Sequence, residues 1–274
     1  MKKIAAAVLT LNEENNISQC IKSIKKHFDQ IYIVDSGSED NTVEIAKSLN
    51  VNILENIQRG RFDASEQRNW LLKKLENTYE WVFFIDADEM ISEKFITNYS
   101  NSILEDSFDV ISLPLLYFYH EKKIKSFGFP NWHDRIIRTN QKFISAVGEH
   151  INTKKKLFAK NLVLNHHFNS DGYVKFWEKQ LRYSSFMGEQ LYKYRNNQYS
   201  EYFNKLSGNS GLKKFAAKLF WLRPFLRFFY NYIYKRGFLE GKAGFIMSVN
   251  LFFFEYLILL SCIEYERKKQ GKKL

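Results

Sequence analysis

Two carboxylates that stand two residues apart after a long apolar run are the strongest chemical signal in this sequence. Asp86 and Asp88 directly follow the apolar residues 81–85. If that run is a buried strand, the alternation of an extended chain places both carboxylates on one side of the sheet edge. Two hard oxygen ligands in this arrangement suit Mg²⁺ or Mn²⁺ shared with a diphosphate. An acidic pair alone also often solvates a strand end or caps a helix, so the interpretation depends on its neighbours.

Polar side chains follow two other apolar runs in the same way. Thr10, Asn12 and Glu13 come after the first run, and Asp35 comes directly after the second. Asp35 could accept hydrogen bonds from a base or a ribose, although residues 35–40 are equally typical of a turn and a helix cap. The two interpretations are compatible. Since ligands of α/β sheets bind outside the carboxyl ends of the strands, these loops predict a ligand site at one sheet edge.

The elements that must position these loops are visible as alternating apolar runs and amphipathic stretches. Strands are predicted at residues 4–10, 30–34, 51–54 and 81–85, and helices at 15–28, 43–49 and 65–75. This order predicts an α/β fold, Rossmann-like, with a mostly parallel sheet and helices on both faces. Lys2 and Lys3 before the first run imitate a signal peptide. The run is short and no small-x-small cleavage site follows, which favours a buried strand.

The pattern changes at about residue 109. Strand-like segments are predicted at 110–119, 135–139 and 162–165, and a helix at 172–194. We therefore predict one domain over residues 1–210, with a first half at about 1–108 and a second half at about 109–210. A helical extension is predicted over residues 211–274.

Three segments together resemble the leading motifs of glycosyltransferase family 2. They are residues 7–14 (AVLTLNEE), 34–42 (VDSGSEDNT) and 84–89 (FIDADE). Their order and spacing resemble especially the lipopolysaccharide-core glucosyltransferase-like branch, and residues 67–69, 223–224 and 237–242 extend the resemblance. The resemblance implies a GT-A fold, a nucleotide-sugar donor, and a divalent metal that bridges the Asp-x-Asp motif to the donor diphosphate. It makes residues 1–210 a catalytic domain, with a nucleotide-sugar half at about 1–108 and an acceptor half at about 109–210.

The same resemblance implies roles for individual residues. Asp35 would contact the nucleoside, Asp86 the ribose or the metal, and Asp88 the metal itself. The other implied donor-side residues are Thr10, Asn12, Glu13, Arg68 and Asn69; a solvated helix position is the alternative for Arg68.

Glu149 is the candidate general base, because residues 145–149 correspond to a Gly-x-Val-His-Glu stretch of the family. Ser145 and Gly148 depart from that stretch, and a plain surface carboxylate is the alternative for Glu149. His166 follows a predicted strand end, where a histidine is usually structural. The family branch has a histidine at this place that would assist the metal or the diphosphate. Trp132 and Arg135 either shape an acceptor pocket or pack in the ordinary way.

The implied function is an inverting, metal-dependent transfer of a hexose from UDP, with glucose favoured, to a glycan or lipid-linked acceptor such as lipopolysaccharide core. A haloacid-dehalogenase-like phosphatase is an alternative, but Glu89 and Met90 stand where Thr or Val is normal. A basic nucleic-acid-binding protein would explain a net charge of +11 and 17% aromatic residues. It would not explain the acidic strand ends, and we predict no nucleic-acid partner.

The C-terminal region has a different composition. Residues 211–242 contain eight Lys or Arg, one Glu and ten aromatic residues. Apolar side chains recur there at helical spacing: Phe215, Leu219, Leu222, Leu226, Phe229 and Ile233. This pattern favours a helix in the interface of an anionic bilayer; the alternative is a helix packed on the catalytic domain with a solvated basic face.

Residues 245–263 are nearly long enough to span a bilayer, but Glu255 near the middle favours a buried or interfacial helix. Only two cysteines are present, far apart in sequence, which fits a reducing compartment. The predicted location is cytoplasmic, peripheral at the inner face of the cell membrane.

Overall fold

Ten strands form one mixed sheet in the computed structural model, which describes residues 3–58, 63–127, 129–143, 151–168, 170, 172–200 and 218–273. The strands are β1 Ile4–Thr10, β2 Ile31–Asp35, β3 Asn52–Glu55, β4 Trp81–Asp86, β5 Glu89–Ile91, β6 Val110–Tyr119, β7 Lys122–Ile124, β8 Asn131–Arg138, β9 Lys156–Phe158 and β10 Leu164–Phe168. The helices are α1 Ile17–Ile24, α2 Thr42–Ser48, α3 Ala64–Leu75, α4 Glu93–Asn98, α5 Gly172–Arg195, α6 Arg223–Phe229 and α7 Gly241–Lys269.

The strand order is β3-β2-β1-β4-β8-β6-β10-β5, with β7 and β9 paired to β6. The first four strands of this order are parallel, whereas β8 is antiparallel to both β4 and β6. The parallel register aligns Thr10 with Asp35 and Leu9 with Asp86. The carboxyl ends of β1, β2 and β4 therefore meet at one edge, as the sequence predicts.

The core forms on both faces of β4, which is apolar because both of its faces are covered. Phe84 lies with Val82 in a buried cluster that includes Leu71 and Leu72 of α3. Phe83, on the opposite face, stacks on Phe95 of α4 at 5.4 Å between ring centroids. Helices thus pack on both faces, and the predicted α/β fold is confirmed.

Several element boundaries differ from those that the sequence predicts. The first helix is limited to Ile17–Ile24 although its apolar positions extend to Phe28, and β8 begins at Asn131 rather than at 135. The tenth strand covers Leu164–Phe168 instead of 162–165. The two histidines therefore lie inside a strand rather than after it. The short elements β5 and α4 follow the Asp-x-Asp motif and were not predicted.

The described chain divides into two compact units. One consists of Met1–Lys123 and Phe129–Ser170, and the other of Ile124–Gly128 and Asp171–Leu274. All three motif loops and the sheet, except Ile124 at the end of β7, belong to the first unit. The predicted boundary at 210 lies outside the described residues, as do residues 211–217 of the predicted extension.

In the described part of the second unit, α5 and α6 pack against α7. Gly188 of α5 lies so close to α7 that an added Cβ would come within 2.7 Å of the Cys262 nitrogen, so the two helices approach closely at this point. Arg223 at the start of α6 donates from Nη2 to Oε2 of Glu255 on α7 at 2.7 Å. Pro224 lies in the first turn of α6, where proline is tolerated, and does not interrupt a longer helix. Residues 237–269 are long and apolar enough to cross a membrane by length and composition alone, and 39% of the most apolar window is buried within the protein.

Candidate active site

The Asp35 carboxylate organises the loop that follows β2. Its Oδ1 accepts from the hydroxyls of Thr10 at 2.8 Å and Ser38 at 2.6 Å, and its Oδ2 accepts from the backbone N–H groups of Gly37 and Ser38. Gly37 has a φ of +97°, a conformation that favours glycine. Asp35 is only 2% exposed. These donors satisfy its lone pairs and hold the loop in one shape.

The loop after β1 is joined to the loop after β2. Asn12 donates its N–H to the Ser38 hydroxyl at 2.9 Å, and its side-chain oxygen accepts from the N–H of Glu39 at 2.8 Å. The N–H of Glu13 donates to the Thr42 hydroxyl at 2.7 Å. Thr10, Asn12 and Glu13 are therefore brought to Asp35, as predicted, and the two loops form one wall of the sheet edge.

Asp86 lies in a network with two arginines. Its Oδ1 accepts from Nη2 of Arg68 at 2.9 Å, and its Oδ2 accepts from Nη2 of Arg135 at 2.9 Å. Arg135 also donates to Oε1 of Glu89 at 2.6 Å, while Oε2 of Glu89 accepts from the Asp86 N–H at 3.1 Å. Both arginines and Glu89 are almost fully buried, whereas the Asp86 side chain is 32% exposed. The carboxylate of Asp86 is thus held in place by the two buried guanidinium groups of Arg68 and Arg135.

Glu89 is not among the site residues that the sequence predicts, and Arg135 is predicted on the acceptor side. Arg135 reaches this network because β8 contains a bulge: Ile111 pairs with Ile136, but Ser112 pairs with Asp134, so Arg135 is the extra residue. Bulges redirect side chains and are common beside active sites. Glu89 could have been recognised from the sequence, since it is an acidic residue directly after Asp88. No sequence feature indicated the bulge that brings Arg135 into the network.

Asp88 and His166 come together at the other end of the motif. His166 Nδ1 lies 3.5 Å from Oδ1 of Asp88 and 3.8 Å from Oε1 of Glu89. The backbone oxygen of Asp88 accepts from the N–H of His167 at 3.1 Å, which attaches the motif to β10. The Asp88 and His166 side chains are 18% and 19% exposed. One carboxylate and one imidazole thus share a partly open position.

Two titratable neighbours of the motif are held in their neutral forms. Burial raises the pKa of the Cys20 thiol well above its usual value, and the charges of Glu89, Asp88 and Asp86 raise it further. The thiol donates to the backbone oxygen of Asp86 at 3.5 Å. Burial, followed by the charge of His166, lowers the pKa of His167, while Asp88 acts in the opposite direction. Positive charge at this edge therefore comes from arginine rather than from His167.

A row of polar side chains adjoins His166 across the sheet. Tyr117, its register neighbour on β6, packs edge-to-face on the imidazole at 5.1 Å. Asn131 donates to the Tyr117 hydroxyl at 2.8 Å and contacts Nε2 of His133 at 2.9 Å. Trp132, which alternates with these residues along β8, packs against Phe158 at 5.1 Å. Sequence reasoning missed this row because its members come from separate strands.

Asn69 does not point at Asp86 but pairs with the backbone of Phe143. Its Nδ2 donates to the Phe143 oxygen at 2.9 Å, and its Oδ1 accepts from the Phe143 N–H at 2.8 Å. Glu149 lies outside the described residues. Among the residues that are described, no three His, Cys, Asp or Glu side chains form a group that could hold a metal.

The chain belongs to glycosyl transferase family 2, whose family model matches residues 6–168. An uncharacterized glycosyltransferase of Rickettsia prowazekii is 28% identical over 99% of this chain and 90% of its own length. Glycosyltransferase SunS of Bacillus phage SPbeta is 33% identical over 33% of this chain and 21% of its own.

Among solved structures, glucosyl-3-phosphoglycerate synthase from Mycobacterium tuberculosis in complex with Mn²⁺ and UDP-glucose is 22% identical. The match covers 43% of this chain and 44% of the synthase chain, with a TM-score of 0.35. The family match places all three motif loops and the Asp-x-Asp pair inside the family region. The protein is therefore a glycosyltransferase, and the predicted enzyme class is confirmed.

Proposed function

We propose that this enzyme transfers a hexose from a nucleotide sugar, with UDP-glucose favoured, to a glycan or lipid-linked acceptor such as lipopolysaccharide core, with inversion at the sugar carbon. The supporting observation is the placement of Asp88 beside His166 at the sheet edge where the Asp35 and Asp86 loops meet. The donor and the acceptor of this proposal follow from the resemblance to the lipopolysaccharide-core branch. The proposed donor-side residues are Thr10, Asn12, Glu13, Asp35, Arg68 and Asp86; Asn69, predicted there from the sequence, has both functions of its amide on the Phe143 backbone instead.

A divalent metal fits the donor set at Asp88. Mg²⁺ and Mn²⁺ prefer oxygen ligands, and Mn²⁺ also accepts imidazole. Both ions are commonly held by one or two protein groups together with substrate phosphates. The carboxylate of Asp88 and the imidazole of His166 are two such groups, 3.5 Å apart and partly exposed. When bound there, the metal would neutralise the charge of the leaving diphosphate. Asp86 has its oxygens on two arginines, which favours the ribose role over the metal role.

The chain's own residues account for the remaining tasks of the reaction. Arg68 and Arg135 hold the Asp86 carboxylate in one orientation, which fixes the donor without reorganisation during transfer. Glu149 is the proposed base that removes the proton from the acceptor hydroxyl as that oxygen attacks the sugar carbon from the side opposite the leaving group. Trp132 is the proposed acceptor-side residue, and Arg135 acts through Asp86 instead of touching the acceptor.

The proposed place of action is the inner face of the cell membrane. Large apolar side chains of α6 and its flanking turns are exposed, among them Trp221 at 64%, Phe229 at 53% and Ile233 at 56%. Exposed basic side chains, Lys218, Lys235 and Arg236, accompany them. An aromatic face with basic neighbours suits the interface of an anionic bilayer, where a lipid-linked acceptor would be found.

Thermal unfolding with UDP, other nucleoside diphosphates and buffer, each with and without Mn²⁺, tests the donor site. A ligand that binds only the folded state raises its stability, by about 2.7 kcal/mol at a hundredfold excess over Kd, or roughly 5 °C for a chain of this size. We expect such a shift for UDP with Mn²⁺ and its loss in Asp88→Asn. The exposed carboxylate variant Asp106→Asn is the control. Equal shifts with UDP in Asp88→Asn and in the unmodified enzyme would exclude Asp88 from the site.

A further inference from the structure

The second half of β6 has one buried face and one half-open face. Leu115, Tyr117 and Tyr119 are buried, each less than 9% exposed. Leu116 and Phe118, which alternate with them and therefore point to the opposite face of the sheet, are partly exposed. The strand thus presents apolar side chains on a face that the core does not seal.

Neighbouring strands add further rings to this half-open face. His167 of β10 pairs with Phe118, and the two rings stack at 5.3 Å between centroids with 16° between their planes. Trp132 of β8 pairs with Pro114, and its ring packs edge-to-face on Phe158 of β9 at 5.1 Å. Phe158 is 51% exposed, and Trp132 and His167 are partly exposed. These partly exposed rings form what we call the aromatic platform: Phe118, Trp132, Phe158 and His167.

The register of the sheet places one end of the aromatic platform level with Asp86. Phe83 of β4 and Ile111 of β6 both pair with Ile136 of β8, and both pairings are antiparallel, so β4 and β6 run in the same direction. Three residues further along each strand, Asp86 is level with Pro114. Pro114 is the register partner of Trp132. The platform therefore begins where the donor-side carboxylate lies.

From that level the platform extends away from the core. β4 ends at Asp86, whereas β6 continues to Tyr119. The distance from Pro114 to Phe118 along the strand is about 13 Å. At the Phe118 end, the N–H of His167 donates to the backbone oxygen of Asp88 at 3.1 Å. The Asp-x-Asp motif is thus attached directly to a residue of the platform.

A surface of this composition suits a saccharide. The carbon-bound hydrogens on the faces of a pyranose ring pack on the negative face of an aromatic ring, while the hydroxyl groups at the rim of the sugar need polar partners. Asn165, which is partly exposed and pairs with Leu116, supplies an amide on the same face of the sheet. A continuous surface of this length exceeds one sugar ring, so a chain of sugars would use it more fully than a monosaccharide.

We propose that the aromatic platform binds the part of the acceptor that does not react, and that the acceptor is therefore an oligosaccharide, free or as the sugar portion of a glycolipid. This inference rests on the proposed function and names the class of acceptor within it. The reacting sugar lies at the Asp86 end, and the sugars next to it lie along Trp132 and Phe118. The platform therefore determines the affinity for the acceptor and leaves the affinity for the donor nearly unchanged.

Trp132→Ala combined with Phe158→Ala tests the platform, with Ile96→Ala as the matched control. Ile96 is 43% exposed and lies on α4, which packs on the other face of the sheet. The probe is the core oligosaccharide released from lipopolysaccharide by mild acid, titrated by calorimetry. We expect Kd for this probe to rise at least about tenfold in the double variant and less than about twofold in the control. UDP affinity with Mn²⁺ should stay within about threefold in both.

Conservative variants separate a lost contact from a lost fold. Trp132→Phe combined with Phe158→Tyr keeps an aromatic face at both positions, so we expect it to bind the core oligosaccharide within about threefold of the unmodified protein. Unchanged Kd in the alanine double variant, or no binding of the oligosaccharide to the unmodified protein, would overturn the proposal. A parallel loss of UDP affinity in the alanine double variant would also contradict it, since the platform would then serve the donor.

The length of the saccharide provides an independent test. The unmodified protein should bind the core oligosaccharide at least about tenfold more tightly than methyl glucoside, a probe with one sugar, and this preference should disappear in the alanine double variant. Equal affinity of the unmodified protein for the two probes would exclude an extended acceptor surface. Binding of single-stranded oligothymidine at about 0.15 M salt that the double variant loses would assign the platform to nucleic acid and overturn the proposal.

Transfer assays separate a failure of this inference from a failure of the proposed function. If the alanine double variant transferred glucose from UDP-glucose to the core oligosaccharide with unchanged kcat/KM, the platform inference would fail and the proposed function would stand. If the double variant lost oligosaccharide binding as expected but the unmodified enzyme transferred no sugar from any nucleotide sugar, the proposed function would fail. The platform would then stand as a saccharide-binding surface.

Discussion

Individual residues of the site are held by ion pairs, and the burial of each pair decides how much its loss would change the free energy of unfolding. Glu89 and Arg135 are almost completely buried, with 2.6 Å between Oε1 of Glu89 and Nη2 of Arg135. Arg135 also donates to Oδ2 of Asp86. Removal of one member of such a pair leaves a charge in a region of low dielectric without its partner. By contrast, Arg138 pairs with Asp106, which is 84% exposed, and such pairs contribute little.

We expect Glu89→Gln to lower the free energy of unfolding by about 3 kcal/mol, because the buried Arg135 guanidinium loses one of its two carboxylate partners. Asp106→Asn should change it by less than about 1 kcal/mol. Urea unfolding of both variants measures the difference. Equal effects of the two substitutions would mean that burial does not govern the Glu89–Arg135 pair.

At the scale of elements, α7 depends on an ion pair whose second member, Arg223, lies on another helix, α6. Its Glu255 falls in the middle of an otherwise apolar stretch, and the side chain is 15% exposed. Arg223 of α6, 9% exposed, neutralises it with Nε and Nη2 both donating to Oε2. The pair explains how a carboxylate is retained in this helix, and it sets the position of α6 along α7.

Single and paired substitutions at this contact should differ in the size of their effect on stability. Glu255→Leu alone should destabilise the protein by about 3 kcal/mol, because Arg223 is left buried without its carboxylate. Arg223→Met combined with Glu255→Leu should restore most of that loss, since apolar residues of similar volume replace both charges. Thermal unfolding of these two variants, with Glu264→Gln at an exposed position of α7 as control, tests this. A double variant less stable than Glu255→Leu would contradict it.

At the scale of the whole molecule, a net charge of +11 favours attraction to anionic surfaces over long range. Charge steers but does not anchor, because salt screens it beyond about 10 Å at 0.1 M. The exposed aromatic side chains of the second unit would provide the anchoring part, since each buried aromatic side chain contributes roughly 2 kcal/mol. Both contributions are needed for stable attachment to a bilayer.

We expect the protein to co-sediment with anionic liposomes and not with neutral ones, and to be released in part by high salt. Trp221→Ser combined with Phe229→Ser should weaken binding at least about tenfold through the loss of buried apolar area. Ile57→Ser is the control, because Ile57 is 64% exposed but belongs to the first unit. Unchanged binding of the double variant would remove this face from the membrane proposal.

Local patterns in the sequence predicted the strands of the parallel half and the polar loops at their ends. The run at 81–85 is apolar on both faces, so a central strand and the exposed position of the residues after it could be inferred without any partner. The same reasoning placed Thr10 and Asp35 at one edge, and the structure pairs them in register. These features depend on neighbours in the chain, which is why periodicity was sufficient.

Tertiary structure alone decided which partner each functional side chain has. Arg135 joins Asp86 because of a bulge in the pairing of β8 with β6, and Asn69 binds Phe143 across 74 positions of sequence. The charge of Glu255 is compensated because Arg223 pairs with it from another helix. Each contact depends on strand register or on helix packing between segments far apart. The sequence by itself determined the chemistry that is available, and the packing decided which groups are fixed, paired and left open for a substrate.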